Sequence, residues 1–199
     1  MDHRGDETGA ATTLQAVADL YRPTLDFPKP GIRFWSGLEA TGDAAAFRCV
    51  LDALETRCRA WMARTGREID FIAGFDARGF MFGAPIADRL GAGFLQPRKP
   101  GKLPPPVISA GYETEYGSDT LEMSRRDLSG RTVVLIDDLL ATGGTAEAGR
   151  RLIEELGGAV AFLLVVIELP FLDGQARLGA CPVEALLREV DGRLTASRG

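Results

Sequence analysis

Residues 131–147, Arg-Thr-Val-Val-Leu-Ile-Asp-Asp-Leu-Leu-Ala-Thr-Gly-Gly-Thr-Ala-Glu, constrain this chain more than any other stretch. Thr132 to Ile136 is short, apolar and rich in β-branched residues, the pattern of a strand buried on both faces of a parallel sheet. Asp137 and Asp138 follow at its carboxyl end, where open α/β sheets bind ligands. Ala141-Thr142-Gly143-Gly144-Thr145 then leads into a predicted helix over 146–156. Glycines let backbone N–H groups converge on one point, and a helix N-terminus adds unpaired donors and partial positive charge. With two threonine hydroxyls alongside, the loop predicts a phosphate pocket. The two carboxylates suit the hydroxyl pair of a sugar, with a divalent cation shared among ligand oxygens.

The plain alternative is a βα turn with an ordinary acidic start to its helix; two acids at the strand end argue against it. Other phosphate motifs fail. No Lys follows the glycines, so this is not a G-x-x-x-x-G-K-[ST] loop, and no G-x-G-x-x-G follows a strand. An aspartyl-phosphate domain would carry acids at a strand end, but not a phosphate-shaped loop directly behind them.

The remaining chain narrows the chemistry. Its 199 residues are enough for one full core, and 45% hydrophobic with 26% charged residues describes a soluble globular protein. A net charge of −5 gives no general attraction to nucleic acid or an anionic membrane. No apolar run approaches the ~20 residues of a transmembrane helix. Residues 1–11 are polar, unlike a secretory signal, and read as a disordered tail. The three cysteines, Cys49, Cys58 and Cys181, lack metal spacing and read as reduced thiols in a cytoplasmic protein. The single histidine, His3, lies in that tail. This excludes a Ser-His-Asp triad, a Cys-His pair and a His-rich zinc site, and leaves carboxylate, Tyr or Lys as the acid–base group.

Thr12 or Thr13 caps a short predicted helix with Leu14, Val17, Ala18 and Tyr21 on its apolar face, ended by Pro23. Asp26-Phe-Pro-Lys-Pro-Gly-Ile-Arg-Phe34 is stiffened by two prolines and reads as irregular. Residues 43–64 form a long amphipathic helix with Ala46, Phe47, Val50, Leu51, Leu54, Cys58, Trp61 and Met62 as core, closed by Gly66. Residues 68–74 read as a strand, Phe75-Asp76-Ala77-Arg78-Gly79-Phe80 as the next βα junction, 80–90 as a helix and 94–97 as a strand. From Pro97 a basic, Pro- and Gly-rich run opens a stretch read as irregular as far as Asp119, the length of a lid. Residues 160–169 form a further strand, and 183–190 a shorter edge element. The alternation predicts an α/β fold with a mainly parallel sheet flanked by helices.

Val133 to Thr145 resembles the phosphoribosyl-pyrophosphate (PRPP) signature of the type I phosphoribosyltransferases, and more narrowly that of the adenine phosphoribosyltransferases. Three further segments resemble that family in the same order. Asp26 to Phe34 is similar to its hood, Asp76-Ala77-Arg78-Gly79-Phe80 to its pyrophosphate loop, and Arg98-Lys-Pro-Gly-Lys-Leu-Pro104 with Glu115-Tyr116-Gly117 to its lid. The resemblance spans roughly residues 12–190. It implies a single domain over 12–199, with a hood at 24–40 and a lid at about 97–119, that converts PRPP and adenine to AMP and pyrophosphate in purine salvage.

Roles follow from the resemblance alone. The 5-phosphate would sit in Ala141 to Thr145. The ribose hydroxyls would face Asp137 and Asp138, and Mg²⁺ would be bound mainly through PRPP, without a dedicated protein cage. Pyrophosphate would meet Asp76, Ala77, Arg78, Arg98, Lys99 and Lys102, some of them reaching across a homodimer. Adenine would meet Arg33, Phe34, Arg78 and Leu139. Glu115 would handle the purine's proton, beside Tyr116 in the lid. Ala141 stands where 6-oxopurine enzymes of the superfamily carry an Asp, which favours adenine. The hood departs from the family at Trp35-Ser36, where an acid usually stands two places after the Phe, and base selectivity is the property this departure bears on. The alternatives are another base, or a non-catalytic PRPP-binding regulator, which would need a DNA-binding segment and no complete lid.

Overall fold

The computed structural model describes residues 12–26, 29–30, 33–36, 39–114 and 117–197, with the backbone alone at 113–114 and 117–118. Helix α1, Leu14–Ala18, starts at Thr13, whose hydroxyl accepts from Ala16 N. Two short strands, β1 (Thr24–Leu25) and β2 (Arg33–Phe34), pair antiparallel in the hood. Helix α2, Ala44–Thr65, is capped by the Asp43 carboxylate, which accepts from the N–H groups of Ala45 and Ala46, and it ends on Gly66 in the left-handed region. A cap of this kind is worth about 1 kcal/mol. The apolar stripe predicted for this helix is buried at Ala46, Val50, Leu51, Leu54, Cys58 and Trp61.

Then follow β3 (Phe71–Gly74), α3 (Arg78–Leu90), β4 (Gly93–Leu95), β5 (Val107–Thr114), β6 (Gly117–Ser124), β7 (Thr132–Leu140), α4 (Gly144–Glu155), β8 (Ala159–Glu168), α5 (Gly174–Arg177), β9 (Val183–Val190) and β10 (Arg193–Ala196). Six strands form one sheet in the order β10-β9-β8-β7-β3-β4, parallel except for β10. Alternate residues of β7 divide between two cores. Val134 and Ile136 pack with α1, α2 and α3, while Val133 and Leu135 pack with α4 and the β5–β6 hairpin. Covering both faces explains the continuous apolar run of β7.

Adjacent strands β3 and β7 send their following helices to opposite faces, α3 to one core and α4 to the other. This opens a crevice at their carboxyl ends, the switch point at which open α/β sheets take ligands.

Several expectations need correction. The stretch from 107 to 119, read as irregular, is mostly an eight-residue strand paired antiparallel with β6 from Val107↔Ser124 to Thr114↔Gly117. Ile108, Ala110 and Tyr112 alternate inward opposite Leu121 and Met123, and burial of that face holds the hairpin on α4. Strand β7 runs to Leu140 rather than Ile136, because β8 continues to pair with it as far as Glu168. Both acids therefore lie within a strand rather than after one. Strand β9 is not at the edge, since the turn at Asp191-Gly192 brings β10 back beside it. Helix α3 begins at Arg78 rather than 80, and the strands expected over 68–74 and 94–97 shorten to β3 and β4. The tail and His3 lie outside the described residues.

Candidate active site

A cavity of about 300 Å³ opens at the switch point. It is lined by Asp76, Arg78, Lys99, Tyr112, Leu121, Asp137, Asp138, Leu139, Leu140, the loop Ala141 to Thr145, Ala146, Leu163 and Val165. One crevice thus collects the acid pair, the glycine loop 141–145, two cations and an apolar floor.

Asp138 is 2% exposed and its Oδ2 lies 3.1 Å from Arg78 Nε. That contact is charge to charge, for Oδ2 accepts no aligned hydrogen bond among the described residues. Asp137 is partly buried and its Oδ1 accepts from Asp138 N at 2.9 Å. Burial, and next the charge of Asp138, push the Asp137 carboxyl well above the usual carboxylate range. Burial raises Asp138 as well, opposed by Arg78. Two close carboxylates in a poorly hydrated place bind protons readily and attract cationic or hydroxyl-bearing partners.

The 141–145 loop is braced from outside. A Cβ on Gly174 would collide with Ala141 O and come within 3.0 Å of Gly143 N, and one on Gly143 would collide with Gly174 O. Gly143 has φ +80°, so its backbone also favours glycine. Leu169 N donates to Leu140 O at 3.0 Å, tying the 169–174 segment to the loop's start.

Lys99 Nζ is held by the Asp119 carboxylate and by Tyr112 OH, the latter at 3.0 Å. Asp76 Oδ2 takes Arg98 Nε at 3.2 Å and faces Lys99 N at 3.4 Å. The Arg98 guanidinium sits 5.6 Å above the Phe80 ring. Arg98 and the exposed Lys102 do not line the cavity, and Ala77 sits at the start of α3 without a side-chain cap. Phe34 approaches through Arg78, whose guanidinium is 6.0 Å from its ring centre. Arg33 lies on the neighbouring hood position, its side chain turned to Glu189 at 3.5 Å. Trp35, the hood's departure, is 2% exposed within the core beside α1 and α2, so its ring faces inward. Tyr21 lies nearby; burial, then the charges of Glu39 and Asp138, hold its hydroxyl far above the usual range. Glu115 and Tyr116 lie outside the described residues.

Tyr112, Asp119 and Gly174 were not anticipated. The alternation of Ile108, Ala110 and Tyr112 could have placed the first, and the Asp-Gly pair at 173–174 hints at a special turn. Nothing local marks Asp119.

Residues 50–180 match the model of the phosphoribosyl transferase domain. The adenine phosphoribosyltransferase of Caldanaerobacter subterraneus subsp. tengcongensis is 45% identical over 177 residues, 88% of this chain and 99% of that one. The chain belongs to the adenine phosphoribosyltransferases. Crystal structures within that family superpose on it closely. For the Thermoanaerobacter pseudethanolicus adenine phosphoribosyltransferase the TM-score is 0.81 at 44% identity, over 88% of this chain and 99% of that one. For the Saccharomyces cerevisiae adenine phosphoribosyltransferase, complexed with an imino-altritol bisphosphate and adenine, it is 0.81 at 35% identity, over 86% and 97%. Membership in the adenine phosphoribosyltransferases makes the chain a pentosyltransferase with the type I fold expected from its motifs.

Proposed function

We propose that the cavity at the ends of β3 and β7 transfers the phosphoribosyl group of PRPP to adenine, giving AMP and pyrophosphate. The observation that carries this is one crevice holding the buried acid pair Asp137–Asp138, the braced loop 141–145, Arg78 and Lys99.

The N–H groups and hydroxyls of the loop bind the 5-phosphate at the start of α4, where the helix dipole favours an anion. Asp137 and Asp138 accept from the ribose hydroxyls. Lys99 and Arg78 neutralise pyrophosphate, Lys99 exchanging its Asp119 partner for phosphate oxygens. Leu139 and Phe34 sandwich the purine. Backbone groups at Arg33 meet its N1 acceptor and 6-amino donor, and a 6-oxo base would leave both unpaired. As the C1–pyrophosphate bond breaks, a ring nitrogen attacks C1 and its proton passes to Glu115. The lid, with Tyr116 and Lys102, excludes the water that would otherwise hydrolyse PRPP.

The donor set fits Mg²⁺ carried by the substrate. Two carboxylates offer hard oxygen ligands, while no group of three acidic, His or Cys side chains among the described residues forms a cage. Mg²⁺ bound there through Asp137, Asp138 and PRPP oxygens would supply charge neutralisation to the departing pyrophosphate.

We further read residues 12–199 as one domain acting in a homodimer. Arg98 and Lys102 do not line their own chain's cavity, which supports their reaching a neighbour's. No helix among the described residues is long and apolar enough to cross a membrane, and the three cysteines are free, which suits the cytoplasm. The test is incubation with PRPP, Mg²⁺ and adenine, hypoxanthine or guanine in turn. AMP and pyrophosphate should appear with adenine. Comparable turnover of hypoxanthine would overturn the base assignment.

A further inference from the structure

The hood touches the body through a contact that the reaction does not use. Strand β9 and strand β10 are joined by Asp191-Gly192, with φ +49° and +80°, a tight two-residue turn. Glu189 stands just before this turn with its side chain only 10% exposed. Its Oε1 accepts from Gly192 N at 2.5 Å and lies 3.5 Å from Arg33 Nη1. The guanidinium rests on the bare backbone of Gly192, for a Cβ there would collide with Nη1. The hairpin tip therefore presents a partly buried acid and a side-chain-free seat to a hood cation.

From that seat a continuous line of contacts leads to the reacting centre. Arg33 is followed by Phe34, Phe34 faces the Arg78 guanidinium at 6.0 Å, and Arg78 Nε meets Asp138 Oδ2 at 3.1 Å. The hood strand itself is two residues long and pairs with another of two residues. Pairing that short does not hold a pose, so external anchors must. Trp35 supplies an apolar anchor on one side and Glu189 a polar anchor on the other.

We propose that Glu189 and Gly192 seat the Arg33 side chain and so set the pose of the hood over the base, making the β9–β10 tip a specificity-determining element that never touches substrate. The proposal rests on the reading that the Arg33 backbone and the Phe34 ring face adenine. Glu189 is a positioning residue, so its loss acts on base binding and leaves PRPP binding and chemistry alone.

The test compares the wild-type enzyme with Glu189→Gln, Gly192→Ala, Arg33→Ala, Phe34→Ala and the Arg33→Ala/Glu189→Gln double variant. Thermal melting confirms that each is folded, and Glu189→Gln keeps the test open if Gly192→Ala is not. In Glu189→Gln, KM for adenine should rise about two- to fivefold, the range of a partly exposed ion pair, while kcat and KM for PRPP stay unchanged. The preference for adenine over hypoxanthine should fall in parallel. The double variant should match Arg33→Ala, because an acid acting through that side chain has nothing left to position. A raised KM for adenine in Phe34→Ala with no change in Glu189→Gln would overturn the seat. An unchanged KM for adenine in Phe34→Ala would overturn the base-facing hood, and the seat with it. Additive losses in the double variant would show Glu189 acting elsewhere, which also overturns the proposal.

Discussion

Gly143 and Gly174 meet backbone to backbone, so closely that neither has room for a methyl group. One sits in the loop 141–145 and the other begins α5, about thirty residues later. The loop's curvature is thus held from outside by α5 as well as by its own sequence.

Gly174→Ala should therefore act on the 5-phosphate. Its Cβ meets main-chain atoms, which cannot swing aside, so the loop must shift. KM for PRPP and the Kd for ribose 5-phosphate should rise by about tenfold or more, the loss of one hydrogen bond to a charged group. KM for adenine should change little. Calorimetric titration with ribose 5-phosphate is the direct measurement, and unchanged affinity would show the brace to be dispensable.

Asp137→Asn and Asp138→Asn should each weaken PRPP binding. Asp137→Asn should also leave the melting temperature unchanged or raise it, since it removes a charge disfavoured by burial and by Asp138. Calorimetry with PRPP and Mg²⁺, run beside thermal melting, separates the two effects. Loss of fold in Asp137→Asn would place the acid in the structural core instead.

Glu115→Gln keeps shape and removes the ionisable group, so turnover should fall by about 10²–10⁴. Lys102→Ala should instead weaken PRPP and pyrophosphate binding by about 1.5–3 kcal/mol. Steady-state kinetics with both substrates varied distinguishes the two. Normal turnover in Glu115→Gln would show that the proton is handled elsewhere.

Asp70, at the far end of the sheet, gives a pH-dependent prediction. Its carboxylate accepts from Thr132 N and Arg131 Nη1, each at 2.8 Å. The Thr132 bond first, and the Arg131 pairing after it, hold its pKa below the usual 3.8, against the effect of burial. A depressed native pKa means that the unfolded chain takes up the proton first as pH falls. The stabilisation is present above about pH 4 and is lost as pH drops through the native value. Asp70→Asn should cost about 1 kcal/mol at pH 7, or ~2–4 °C in Tm, and the gap should shrink as the pH falls below about 4. A constant gap across that range would rule out the ionic account.

Much of this was readable from residue order. Asp43 and Gly66 bound α2 because a cap acceptor and a left-handed terminator are local chemistry. Thr132 to Thr145 announced strand, acids and glycine loop together, since all three lie within one βα turn. The β5–β6 hairpin was obscured because Pro100, Pro104, Pro105 and Pro106 dominate its approach, while its inward positions include the small Ala110 and the amphipathic Tyr112. The β10 strand was missed although Asp191-Gly192 is a strong hairpin signal, because only four residues follow it in the ladder. Asp119, Gly174 and Glu189 were out of reach for another reason. Their meaning lies in partners 20, 31 and 156 positions away, at Lys99, Gly143 and Arg33.

The grip of Asp119 on Lys99 gives the site a spare anion. In the proposed reaction, when pyrophosphate departs, Lys99 is not left to recruit water around a bare charge at the cavity wall; the Asp119 carboxylate on β6 takes it back. Entry and exit of the diphosphate become an exchange between two negative partners at one ammonium group. Binding is then weaker than the naked cation would give, and release correspondingly faster. An enzyme that must let go of a highly charged product on every cycle gains from carrying that counterweight in its own chain.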